Sequence, residues 1–378
     1  MKQTQATNQP NIVRYTLKES TMTNTTIKFG SALTLDQAVE VILNTRNNRY
    51  FLQGEPGIGK SSLLKTLSAR LPEHEVAYID CPNMDLGDIA MPVIDHEAKV
   101  TRYYPNSRFN MHMGKPIIAM YDEFTKAPQP VQNMLHPSLE VANPRLGDLP
   151  IHEDSIIFLT GNLASDGIGD NLKAHSRNRI IPLTIKKPDA GQWLGWAVNN
   201  DIEPVVMAFV SEYPRVLASY TEDGQEDNPY IYNPRKPAQA FVSPRSLERV
   251  SNIVRARDTL DAESVLHAVK GAIGEAGGRD MQAFIDYQDQ LPTRESIIRD
   301  PDNAPIPTES GACMVLIFNA VAAVTKETID AFMRYIERFD EEYQAAFCIS
   351  VAKNPSKQAI AFTSKVFTNW TARNEDLL

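Results

Sequence analysis

Short apolar runs recur along the first half of the chain, separated by stretches of helical periodicity. They are Tyr50 to Leu52, Val76 to Ile79, Ile117 to Tyr121, Ile156 to Thr160 and Ile180 to Ile185. Continuous runs of this length, without polar alternation, are what strands buried on both faces require, because each side chain meets a helix layer whichever way it points. Strands alternating with helical patterns predict an α/β fold, a parallel sheet flanked by helices.

After Lys186-Lys187-Pro188 the strand signal fades. Helical patterns take over at Gln192 to Ala218, Pro244 to Asp258 and Ala262 to Ala276, with a loop dense in Asp, Asn, Pro and Tyr over Glu222 to Pro237. From about Pro292 a third region opens on a Pro- and Asp-rich stretch and carries amphipathic helices such as Thr325 to Ala346. The expected organisation is a flexible N-terminal arm over 1–30, an α/β domain over 31–188, a helical lid over 189–290 and a helical C-terminal region over 291–378.

Composition narrows the function classes. A formal charge of −9 on 378 residues gives no global reason to coat nucleic acid. Cys81, Cys313 and Cys348 lie far apart with no ligand-type spacing, which suggests neither a disulfide framework nor a zinc site and fits a reducing, cytoplasmic setting. The seven histidines show no ligand pairing either. The longest apolar run, Cys313 to Val324, contains Asn319 and is too short to span a bilayer, so no membrane partner is expected.

The strongest chemical signal is Gly54-Glu55-Pro56-Gly57-Ile58-Gly59-Lys60-Ser61-Ser62, placed between the first predicted strand and a helical run to Leu71. That is the Walker A pattern in its required context. Glycines let backbone N–H groups turn inward around phosphate, Lys60 brings a positive charge to the β- and γ-phosphates, and Ser61 offers a hydroxyl to Mg2+. ATP and Mg2+ are therefore the expected ligands.

Ile117 to Tyr121 ends in Asp122-Glu123, the form of a Walker B element. Asp122 is expected to hold Mg2+ through its water shell, and Glu123 to orient and deprotonate an attacking water. Ile156 to Thr160 ends in Gly161-Asn162, whose amide can position that water or touch the γ-phosphate. Arg177 and Arg179 precede the last strand, and Arg245 opens a helix in Ser243-Pro244-Arg245. Arginines at such points can neutralise transition-state charge in cis or in trans.

Taken in order, these residues resemble the AAA+ ATPases, and within them the MoxR branch, over roughly residues 33 to 290. Asp122-Glu123-Phe124-Thr125-Lys126-Ala127-Pro128, with Gln132, Leu135 and Glu140, is similar to that branch's Asp-Glu-Ile-Asn-Arg-Ala-Pro signature and its trailing residues. Asp85-Leu86-Gly87-Asp88-Ile89 resembles the segment before the family's inserted hairpin, which would lie within about Ala90 to Met113. The resemblance implies that Asn162 is sensor 1, Arg245 sensor 2, and Arg179 the finger reaching a neighbouring subunit's ATP, with Arg177 in reserve. Two positions depart from the family: Asn178-Arg179-Ile180 replaces Asp-Arg-Phe, and Leu163 stands where proline usually follows sensor 1.

The same resemblance implies a hexameric ring, nucleotide at subunit boundaries, and chaperone-like work on a protein substrate or a partner carrying a von Willebrand factor A domain. Two other readings compete. A nucleic-acid motor or loader would use the same ATPase core, with pore-facing lysines such as Lys99 or Lys115. A nucleotide-gated scaffold would bind ATP without appreciable turnover, and would have no need of Glu123.

Overall fold

In a computed structural model, residues 32–163 and 178–374 are described. The expected arm over 1–30 lies outside them, as do Arg177 and His175. The five predicted runs form the strands β1 (Tyr50–Gln53), β2 (Glu75–Asp80), β5 (Ile117–Asp122), β8 (Ile156–Gly161) and β9 (Ile181–Thr184). They pair in parallel in the order β2-β5-β8-β1-β9, and an isolated bridge between Leu33 and Ile185 extends one edge.

The double-sided burial inferred from the sequence holds for β1, β5 and β8 but not for the two edge strands: β9 is largely exposed, and Tyr78 on β2 is exposed, because an edge strand has a neighbour on one side alone. Along β5, Ile117, Ala119 and Tyr121 face one core with Phe109, Phe124, Val131 and Leu135. Ile118 and Met120 face the other, with residues of helices α1 (Leu35–Asn44) and α2 (Ser62–Arg70). Large side chains such as Ile118 and Met120 each contribute about 1.5–3 kcal/mol when fully buried, so the positions from Ile117 to Tyr121 do not tolerate a polar residue cheaply. Helix α1 starts at a capping box, Thr34 with Gln37, which fixes the chain as it enters the fold.

Two short hairpins sit between the sheet strands. One joins β3 (Ala90–Asp95) and β4 (Val100–Pro105), within the range the family resemblance implied. The other, β6 (Arg145–Leu146) with β7 (Leu149–Pro150), follows helix α3 (Gln129–Leu135) and was not foreseen. They are tied together: Tyr103 N donates to Asp148 Oδ2 at 2.7 Å, and Asp148 N to Tyr103 O at 2.9 Å.

Beyond β9 every described element is helical. Helices α4 (Ala190–Ala197), α5 (Pro204–Glu212), α6 (Pro244–Arg255) and α7 (Ala262–Gln290) are followed by α8 (Arg294–Arg299), α9 (Ser310–Ala323), α10 (Ile329–Ile336), α11 (Glu341–Ala352), α12 (Pro355–Ala361) and α13 (Lys365–Arg373). The periodicity over Gln192 to Ala218 divides into two helices, because Asp201 takes a left-handed φ of 53° and Pro204 starts a new helix. Thr325 to Ala346 likewise divides, at Phe339-Asp340. Helix α7 outruns its predicted end but kinks at Gly274, where φ is 83° and an added Cβ would lie 2.5 Å from Ala240 O.

The apolar run Cys313 to Val324 forms most of α9, which supplies Met314, Val315 and Phe318 to one helical core and Leu316, Ile317 and Val321 to another. Residues on the two sides of position 290 thus share packing. No described helix is long and apolar enough to cross a membrane.

Candidate nucleotide site

Parallel strands deliver their C-terminal ends to one edge of the sheet, where open α/β folds place ligands. The chain places its candidate chemistry there. The turn after β1 has φ of 76° at Gly57 and 99° at Gly59, conformations that side chains resist. Gly54 has no room for a Cβ, which would sit 2.6 Å from Ile58 Cδ1 and 2.8 Å from Ile185 O. Lys60 Nζ donates to the carbonyls of Gly54 at 2.6 Å and Glu55 at 2.9 Å, and lies 3.5 Å from Asn162 Oδ1. The lysine from one motif and the amide from another, far apart in sequence, therefore meet. Ser61 is the N-cap of α2 yet spends no side-chain hydrogen bond on capping it, so its hydroxyl is placed at the helix N-terminus beside the loop.

Asp122 is held from both sides. Thr160 of β8 donates its hydroxyl to Oδ1, and Tyr78 of β2 donates its phenol to Oδ2 at 2.8 Å. Thr160 also accepts the backbone N–H of Glu123 at 3.2 Å. Glu123 adopts φ 49°, ψ 37°, a left-handed conformation costing on the order of 1–3 kcal/mol in a non-glycine residue, of the kind that gathers at functional sites. Its carboxylate pairs with Lys126 Nζ at 3.0 Å. Sequence reasoning missed Thr160 and Tyr78; a hydroxyl in the otherwise apolar β8 was the one available hint, and strand order supplies the rest.

The helix α6 docks on this turn. Arg245 N donates to Gly57 O at 3.1 Å, and the Ser243 hydroxyl, part of the α6 capping box, lies where a Cβ on Gly57 would fall. Partial burial and the carboxylate of Asp122 push the Tyr78 phenol pKa up, while the charge of Arg245 opposes that shift. Lys60, Asn162 and the start of α6 at Arg245 thus meet at the glycine turn, and Asp122 and Glu123 are joined to the strand that carries Asn162 through Thr160. Arg179 joins a different group, pairing with Glu140 Oε1 at 2.7 Å and with the His136 ring at 2.9 Å.

A second missed feature lies under the loop. Glu55 is 4% exposed and accepts a hydrogen bond from Ser219, while Lys187 is 8% exposed and donates to Ala218 O at 2.9 Å and Val242 O at 3.5 Å. Burial raises the Glu55 carboxyl, opposed by the charge of Lys187, and burial lowers the Lys187 ammonium to about 8, opposed by Glu55 and Glu222. In sequence Lys187 looks like part of a solvated linker.

Residues 49–150 match the AAA domain family, dynein-related subfamily. That stretch of the chain is similar to an AAA domain. The match takes in the glycine-rich turn, the β3–β4 hairpin and Asp122-Glu123, and ends before Asn162, Arg179 and Arg245. The parallel sheet and its helices are accordingly the AAA+ α/β fold. No curated protein matches the chain. Similar solved structures include NtrX from Brucella abortus in complex with ADP, at 14% identity, TM-score 0.36, covering 91% of this chain and 67% of that one. Another is a protein proposed to be an ATPase from Cytophaga hutchinsonii, at 13% identity, TM-score 0.32, covering 68% of this chain and 89% of that one. Both similarities are distant.

The donor chemistry of this site suits MgATP. Asp122 and Ser61 are hard oxygen donors, and among the described residues no group of three or more His, Cys, Asp or Glu is arranged to hold a metal unaided. A Mg2+ ion would then complete its shell with phosphate and water, as this ion usually does.

Proposed function

We propose that the chain is a MoxR-type AAA+ ATPase that hydrolyses MgATP at the subunit interfaces of a ring and uses the cycle to remodel or assemble a protein partner. The observation carrying the reading is the meeting of Lys60 with Asn162 beside a doubly held Asp122 and a strained Glu123.

In this mechanism Lys60 exchanges its two loop carbonyls for β- and γ-phosphate oxygens, while backbone N–H groups of Gly57 to Ser61 turn toward the phosphates. Ser61 and Asp122 would hold Mg2+, which would supply charge neutralisation at the phosphates. Glu123 takes a proton from the lytic water, and Asn162 orients that water or the γ-phosphate. Arg245 follows the glycine turn to which its backbone is bonded, and Arg179 serves the site of the next subunit.

Work on protein rather than nucleic acid is favoured by the β3–β4 hairpin. Met91, Val93, Ile94, Val100, Tyr103 and Tyr104 are all exposed on it, with Ile94 at 64%. Such an apolar surface suits polypeptide better than a phosphate backbone. A partner with a von Willebrand factor A domain fits the family likeness.

The test is phosphate release and particle size, with and without MgATP, for wild type and Glu123→Gln. Nucleotide-driven assembly of about six subunits, with turnover lost and ATP binding kept in the variant, supports the reading. Equal turnover in Glu123→Gln and wild type refutes the assignment of the water-activating base. A chain that assembles with ATP but does not turn it over would favour a nucleotide-gated scaffold, one that stays monomeric without Glu123-dependent turnover a scaffold or partner-dependent assembly, and stimulation by DNA or RNA a nucleic-acid motor.

A further inference from the structure

We propose that Tyr78 is a positioning residue for the cation end of the site, its hydroxyl fixing the carboxylate of Asp122 from the outer strand of the sheet. The proposal rests on the reading that Asp122 holds Mg2+.

The strand register makes the contact possible. Tyr78 pairs with Met120 across β2 and β5, so Tyr78, Met120 and Asp122 project from the same face, and a tyrosine is long enough to cover the diagonal to the next residue on that face. Its hydroxyl closes the gap at 2.8 Å on Oδ2 while Thr160 occupies Oδ1 from β8. The carboxylate at the end of β5 is therefore clamped by one hydroxyl donor from each neighbouring strand. Each carboxylate oxygen has two acceptor sites, so both keep one free for a cation or its water.

Tyr78 is 51% exposed, on the face of β2 opposite to the buried Ala77 and Ile79, and its hydroxyl is bonded to Asp122. Partners that orient a metal-holding carboxylate typically change metal affinity by about 10–100-fold when lost.

The test is Tyr78→Phe, with Mn2+ binding followed by electron paramagnetic resonance in the presence of a non-hydrolysable ATP analogue. Cation affinity should fall about tenfold, while analogue affinity in excess chelator stays at the wild-type value. In phosphate release the same variant should need about tenfold more Mg2+ for half-maximal rate. Wild-type cation affinity in Tyr78→Phe overturns the proposal, as does a loss seen only in Tyr78→Leu, which would assign the effect to the ring. Asp122→Asn is the control: if it too leaves Mn2+ binding untouched, the underlying assignment of Asp122 has failed, separately from that of Tyr78.

Discussion

Arg245 donates its backbone N–H to Gly57 O at 3.1 Å, so the glycine turn after β1 is also the seat of helix α6. The turn's shape and the helix's position are consequently one variable. A phosphate drawn into the turn would be felt at the N-terminus of α6 without any intervening element.

Gly57→Ala tests that coupling. The new Cβ would lie 2.6 Å from Ser243 Oγ and force alanine into φ 76°. The variant should lose on the order of 1–3 kcal/mol of stability from backbone strain and bind ATP at least about tenfold more weakly. Thermal melts and nucleotide titration read both. Unchanged binding would mean that the turn tolerates rearrangement.

Thr160→Val removes the hydroxyl that donates to Asp122 and accepts from Glu123 N. Shape is nearly kept, so the fold should persist at a cost of about 1–3 kcal/mol for the orphaned Glu123 N–H. Turnover should fall about 10–100-fold with ATP affinity little changed. A rate equal to wild type would show that Asp122 and Glu123 need no orientation from β8.

Buried Lys187 predicts a signed pH effect. Its folded pKa of about 8 lies below the ordinary 10.5, so the folded state binds fewer protons than the unfolded one between those values. Stability from this group therefore rises as pH climbs from about 8 toward 10.5, and the penalty is fully present below 8, at roughly 3 kcal/mol. Wild type should gain on Lys187→Met across that window in denaturant melts. Glu55 behaves as the mirror case: burial raises its pKa from 4.5, so wild type should lose stability relative to Glu55→Gln as pH rises above about 4.5. Parallel pH curves for variant and wild type would show that neither group is held as described.

Arg179 is tied to Glu140 and His136 within its own chain. The pair with Glu140 is partly exposed and worth at most about 1 kcal/mol, so Glu140→Gln should scarcely move the melting temperature. If Arg179 serves the neighbouring subunit's ATP, Arg179→Ala should abolish turnover while ATP binding persists, and mixing it with Glu123→Gln should restore part of the activity at mixed interfaces. No recovery on mixing would place Arg179 outside the trans role.

The sequence by itself determined the sheet strands, the glycine turn and the acidic strand end. Those signals are local: a strand buried on both faces must be continuously apolar, and a phosphate turn must have glycines at fixed offsets. Helix existence was legible for the same reason, but helix ends were not. The breaks at Asp201 and at Phe339-Asp340 interrupt apolar periodicity only weakly, and α7 is two helical stretches joined across a kink at Gly274, where Ala240 O leaves no room for a Cβ. Only the tertiary structure decided which polar groups meet. Tyr78 and Thr160 reach Asp122 because β2 and β8 happen to flank β5, and strand order is a property of the whole sheet. Lys187 is buried because the segments that supply the carbonyls of Ala218 and Val242 close over it, which no residue near Lys187 announces.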